Sequence, residues 1–199
     1  GMIFARQRAL THGAKQTGAD AAAGAARPAR FLWLCDDDAR FAHDTLRRMV
    51  DTARADPAIG VVGARSVDPA DRVTTLETTV YFDAATGDVQ DHTPAGHPLA
   101  PAFDAWIARV GRTRGTGPYS GRVECDIVAA SCALARMSAL DTAGPWDARY
   151  FIYEDDAEWC LRLKSLGWKV VMDLDAVVYH APWHARLTPE MASRRLYYA

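Results

Sequence analysis

The first strong pattern along the chain is Phe31-Leu-Trp-Leu-Cys35, an apolar run that stops on Asp36-Asp37-Asp38. A short apolar run bounded by charge predicts a buried strand, and ligands of open α/β sheets collect beyond the carboxyl ends of such strands. Leu46, Met49, Val50 and Ala53 then recur at the spacing of an amphipathic helix that begins near Asp44 and ends before Pro57. Ile59-Gly-Val-Val-Gly-Ala64 predicts a second buried strand. Strand, helix and strand in that order predict a parallel pair with a right-handed crossover.

Farther on, Val73 to Phe82 alternates loosely and runs into the turn residues Asp83-Ala-Ala-Thr-Gly87, which predicts a hairpin. Residues 91–121 are rich in Pro and Gly, with one short helix around Phe103 to Val110, and read as a mobile loop over a substrate site, with plain disorder as the alternative. Val123 to Arg136 predicts two short strands or one strand bent at Ala130-Ser131, and Leu140 to Trp146 a helix end and a Gly-Pro turn. Next comes a helix with acidic residues in its first turn, Cys160, Leu161, Leu163 and Leu166 on its core face, and Gly167 at its end. Lys169 to Met172 and Ala176 to Tyr179 read as two strands, the second delivering His180. Before Phe31, Ile3 to Gln16 is compatible with a helix and Thr17 to Arg30 with a loose connection, while Gly1 reads as a remnant of tag removal.

Composition narrows the picture. A chain of 199 residues is most simply one domain with a sizeable core. A formal net charge of −2, with the arginines scattered, offers no field for a nucleic acid. No apolar run approaches the ~20 residues that span a bilayer, which leaves peripheral contact with a membrane surface open. Cys35, Cys125, Cys132 and Cys160 lie in apolar segments without C-x-x-C spacing and read as reduced, buried thiols of a cytoplasmic protein.

Two carboxylate clusters carry candidate chemistry. Asp36, Asp37 and Asp38 repel one another, and a hard divalent cation would neutralise them; the predicted helix starts too late for them to cap it. His180 is a further candidate ligand, since an imidazole suits manganese better than calcium, although spacing alone leaves a structural role open. In Asp155 and Asp156, mutual repulsion favours a proton-accepting carboxylate while the helix N-terminus opposes it. The rival reading is an acidic first turn that stabilises its helix. A metal at one cluster and proton transfer at the other would be a workable division of labour.

Taken together, these residues resemble the family 2 glycosyltransferases of the GT-A fold. Asp36-Asp-Asp38 stands as the D-x-D motif, Gly144-Pro-Trp-Asp147 precedes an aromatic Phe151-Ile-Tyr153, and Arg162 follows the Asp155-Asp156 pair by six residues. The Asp155-Asp-Ala-Glu-Trp159 form, with Val177-Val-Tyr-His-Ala-Pro-Trp183, is similar to the polymerising galactofuranosyltransferases and rhamnosyltransferases of bacterial cell-wall assembly. The resemblance covers about residues 31 to 184.

The resemblance implies a Rossmann-like, mixed and mainly parallel sheet flanked by helices, in which residues 31–90 form the D-x-D half and 122–199 the acceptor half. It further implies that Asp36 or Asp37 contacts the nucleotide sugar, Asp38 binds Mn²⁺ or Mg²⁺, and His180 completes the metal site. Asp156 would be the general base, Asp155 and Asp147 would orient the acceptor, and Trp146 and Trp183 would stack on sugar faces. The implied reaction is inverting transfer of galactofuranose or rhamnose from a UDP- or dTDP-linked donor to a glycan or polyprenyl-linked acceptor, at the inner face of the plasma membrane. The family's nucleotide-binding β-α-β half has no counterpart before Phe31, so a truncated domain is expected, with an open sheet edge that its first residues or a second copy would cover. The rival is an incomplete fragment that binds a sugar or scaffolds an oligomer. An aspartyl phosphohydrolase fits poorly, because Ala39-Arg-Phe41 stands where a Thr or Ser is needed.

Overall fold

The computed structural model describes residues 29–67, 80–112, 119–144, 146–150 and 154–180. The expectations for the first helix, for 73–79 and for Trp183 fall outside them. The strands are β1 (Phe31–Cys35), β2 (Arg40–Phe41), β3 (Ile59–Val67), β4 (Tyr81–Phe82), β5 (Val89–Gln90), β6 (Arg122–Cys125), β7 (Cys132–Arg136) and β8 (Lys169–Tyr179). The helices are α1 (Thr45–Ala55), α2 (Ala100–Val110), α3 (Met137–Ala143) and α4 (Asp155–Ser165).

Six strands form one mixed sheet in the order β1-β7-β3-β8-β2, with β6 also pairing β8. β3 and β8 are parallel, whereas β1/β7, β3/β7, β2/β8 and β6/β8 are antiparallel. The expected β1-α1-β3 parallel pair is therefore corrected. The two strands share a direction, but β7 lies between them and runs against both. β3 and β7 are buried as expected, but β1 is only half-buried, with Leu34 alone fully buried, because it ends the described strand order. Apolar patterning is silent on which strands are neighbours. For the same reason the sheet is mixed, with antiparallel ladders in the majority among the described residues, rather than mainly parallel.

The two strands expected after Gly167 are one. β8 stays paired with β3 through a register shift, with Ala64 opposite Asp173 and Arg65 opposite Val177. The polar Asp173-Leu-Asp175 interrupts the pattern but not the ladder, because Asp173 is satisfied. Its Oδ2 accepts from Thr52 Oγ1 at 2.5 Å and Arg122 Nε at 3.4 Å, and its Oδ1 accepts the Asp175 N–H at 3.2 Å. One edge of β8 pairs β6 over its first half and β2 at its end, which steers the chain after β1 toward His180.

α1 covers one face of the sheet with Met49, Ala53, Thr45 and Thr52. Leu46, expected on the core face, is 39% exposed, because the polar anchors Thr52 Oγ1 to Asp173 and Thr45 Oγ1 to the Val177 carbonyl (2.6 Å) set the helix's rotation. The larger cluster includes Phe103 and Trp106 of α2, Leu140 of α3, and Trp159, Cys160 and Leu163 of α4. Leu166, just beyond α4, is exposed. Gly63 marks the tightest approach in the sheet, since an added Cβ there would meet the Val128 side chain at 2.6 Å.

The hairpin expected after Phe82 is β4 and β5. Part of 91–121 is held by a buried carboxylate. Asp126 accepts the Phe82 N–H at 2.8 Å, meets His97 Nε2 at 2.6 Å and pairs with Lys164 of α4. The cysteine expectation holds for Cys125, Cys132 and Cys160 but not for Cys35, which is exposed where β1 runs out into the turn. Burial pushes the Cys125 and Cys132 thiols up to about 12.

Candidate active site

β1, β3 and β8 run in one direction, so their carboxyl ends share an edge, the place where α/β sheets collect ligands. Beyond β1 the chain turns back. The Asp36 N–H donates to the Ser131 carbonyl at 3.1 Å, and the Ala39 N–H closes the turn onto the Asp36 carbonyl at 3.3 Å. β2 then pairs Arg40 with Tyr179, which sets the aspartate turn beside the residue that follows β8. A Trp33–Phe41 ring contact at 4.6 Å supports this return. His180 is anchored by its N–H on the Val67 carbonyl at 3.0 Å.

The side chains converge there. His180 Nε2 lies 3.2 Å from Asp38 Oδ1 and 3.6 Å from Asp36 Oδ2, and one ligand atom from each residue falls within 4.8 Å of the others. Two carboxylate oxygens and an imidazole nitrogen, partly open to solvent, make a donor set that could hold a divalent metal ion. The structure thus brings Asp38 and His180 together and adds Asp36 to them. Asp37 is exposed at the tip of the turn, outside this cluster.

The second carboxylate group opens α4, where Asp155, Asp156 and Glu158 occupy the first turn. Asp155 is buried. Asp156 Oδ2 accepts the Ala130 N–H at 3.2 Å and Oδ1 accepts the Ala157 N–H at 2.9 Å, so the backbone fixes both carboxylate oxygens. Ala130 holds Asp156 while the adjacent Ser131 holds Asp36, and this bend before β7 ties the two carboxylate groups together. The bend is visible in the sequence as small residues between apolar runs, but its role as a bridge has no sequence signal.

Asp147 sits in the turn after α3, paired with Arg149 through Arg149 Nη2 and Oδ2 at 2.5 Å. Hydrogen bonds from the Arg149 side chain, then from its backbone, lower the Asp147 carboxyl to about 2. Trp146 corrects an expectation. Its indole is 1% exposed and stacks on Trp159 at 4.5 Å, so it presents no face to a sugar. A buried Trp and a sugar-stacking Trp look alike in sequence. Glu154, not singled out by sequence, precedes α4 at φ 57°, a left-handed conformation uncommon outside glycine.

A family model described as "Glycosyltransferase like family 2" matches residues 3–196. Among solved structures, the crystal structure of GalNAc-T7 with UDP, GalNAc and Mn²⁺ aligns over 92% of this chain with a TM-score of 0.59. Sequence identity is 12%, so the likeness speaks for fold alone, and the chain spans 30% of that chain's length. No curated protein matches. The family match covers nearly the whole chain, the mixed sheet with flanking helices is that of a GT-A glycosyltransferase, and the chain belongs to glycosyltransferase-like family 2.

Proposed function

We propose that this chain carries the catalytic centre of a metal-dependent, inverting glycosyltransferase. Its substrates would be a UDP- or dTDP-linked hexose, galactofuranose or rhamnose, and a glycan or polyprenyl-linked acceptor at the cytoplasmic face of a membrane. The observation that carries the proposal is the Ala130-Ser131 bend, which joins the Asp36–Asp38–His180 cluster to Asp156. No described helix is long and apolar enough to cross a membrane.

Asp36, Asp38 and His180 would hold Mn²⁺ or Mg²⁺, which when bound supplies a Lewis acid that neutralises a departing diphosphate. The ion and nucleotide of the GalNAc-T7 structure are of the same chemistry. Asp37, at the tip of the turn, would contact the nucleotide sugar. Asp156 takes the proton of an acceptor hydroxyl as that oxygen attacks the anomeric carbon. The bond to the nucleoside diphosphate breaks on the opposite side, the diphosphate leaves with the bonding electrons, and the anomeric configuration inverts. Two backbone N–H groups hold the Asp156 carboxylate in one orientation, which is what a positioned base requires. Asp147, kept charged by Arg149 down to about pH 2, and Asp155 orient the acceptor sugar. Trp183 keeps the sugar-stacking role its motif implies.

A transfer assay with a panel of UDP- and dTDP-hexoses tests the assignment. Asp156→Asn should lower turnover by roughly 10²–10⁴-fold with donor binding nearly intact, whereas Asp38→Ala should weaken Mn²⁺-dependent donor binding. Equal loss of donor affinity in both variants, or retention of anomeric configuration in the product, would contradict it.

A further inference from the structure

A second recess lies away from the aspartate cluster, between α4 and the β4–β5 hairpin. It is a cleft of about 560 Å³, within the range of small-molecule sites, and its lining includes Phe82, Val89, Tyr150, Glu154, Glu158 and Arg162. Glu154, Glu158 and Arg162 recur at helical spacing, so one face of α4 forms its floor. Two residues along a helix turn by about 200°, which sets Asp156 on the far side of α4 from Glu158, and Asp156 is not part of the cleft's lining. The cleft is therefore distinct from the site of the proposed base.

Its chemistry is specific. Arg162 Nε and Nη2 grip Glu158 Oε1 and Oε2 at 2.8 and 3.0 Å, and Arg162 Nη1 also donates to the Ala143 carbonyl. Glu158 and Arg162 thus cancel in charge and stand rigid. Glu154 is exposed and makes no side-chain capping hydrogen bond to α4. The Phe82 and Tyr150 rings and the exposed Val89 supply apolar surface opposite. The exposed Glu154 carboxylate disfavours phosphates and other anions, while carboxylate oxygens accept well from hydroxyl groups and ring faces pack on C–H surfaces.

We propose that this cleft is a second carbohydrate site, which holds a neutral stretch of the acceptor chain one helix width from the reacting hydroxyl; it rests on the glycosyl-transfer reading above. It would make a longer acceptor bind better than a single sugar. The test is ligand-observed NMR and calorimetry on the intact chain, without donor or metal, using neutral tetrasaccharides of galactose, rhamnose, glucose and mannose. At least one should bind, and Tyr150→Ala and Glu154→Gln should each weaken it by about tenfold or more. A parallel titration with UDP and Mn²⁺ should be unchanged in both variants, which also shows that they are folded. Failure of every tetrasaccharide to bind, or undiminished binding in both variants, overturns the cleft. Saccharide binding without any response to UDP and Mn²⁺ in the wild type would instead uphold the cleft and overturn the transferase reading.

Discussion

Each carboxylate of the site has its own neighbour, and the neighbours decide what it can do. Asp147 shows this most directly. Its carboxyl is lowered to about 2 by Arg149, so the folded state favours the charged form. The stabilisation is fully present above the unfolded value near 3.9 and is lost as pH falls through about 2. Arg149→Ala should return the Asp147 titration, followed by carboxyl-carbon NMR, toward the ordinary aspartate range and flatten the change of stability between about pH 4 and 2. An unmoved titration would show that Arg149 is not the cause. At this scale the sequence was informative about identity and poor on orientation. Asp36, Asp38, His180 and Asp156 are legible as candidates from charge at the ends of apolar runs. That Asp36 rather than Asp37 joins the cluster depends on the turn closed by the Ala39 N–H, which no local pattern encodes.

At the scale of elements, α1, α2, α4 and most of the described strands were legible and α3 showed only as a helix end, yet periodicity misjudged the rotation of α1. A stripe of Leu46, Met49, Val50 and Ala53 ignores Thr45 and Thr52, whose hydroxyls lock the helix onto β8. Polar residues that bury themselves through hydrogen bonds are invisible to a hydrophobic count. Met49→Ala should cost about 2–5 kcal/mol in urea unfolding, whereas Leu46→Ser should stay within about 0.5 kcal/mol. A large loss at Leu46 would restore the sequence-based stripe. Gly63→Ala belongs to the same scale. Its Cβ would press on Val128 at 2.6 Å in the bend region before β7, and overpacking of this kind costs about 1–3 kcal/mol. Unchanged unfolding would show that the sheet can yield there.

Across the whole molecule, what the sequence hides is the pairing of distant segments. β7 slots between β1 and β3, and β8 carries β3, β6 and β2 on its two edges. These choices follow from how the whole chain closes, and they create the site, since Asp36 and His180 lie 144 residues apart in sequence. Asp126 works at the same scale by joining the hairpin, the loop at His97 and α4 through one buried carboxylate. Lys164→Met removes the cation from that pair and should cost about 3 kcal/mol, read from chemical unfolding. A neutral result would mean that His97 and the Phe82 N–H satisfy Asp126 without Lys164.

In the function proposed above, Asp36, Asp38 and His180 form one divalent-cation site serving a nucleotide donor. Electron paramagnetic resonance titration of Mn²⁺ in the presence of UDP measures it directly, in the wild type and in Asp38→Ala and His180→Ala. One Mn²⁺ should bind per wild-type chain, with its affinity tightened by UDP and weakened by about tenfold or more in each variant with circular dichroism unchanged. Wild-type Mn²⁺ affinity in both folded variants would contradict it.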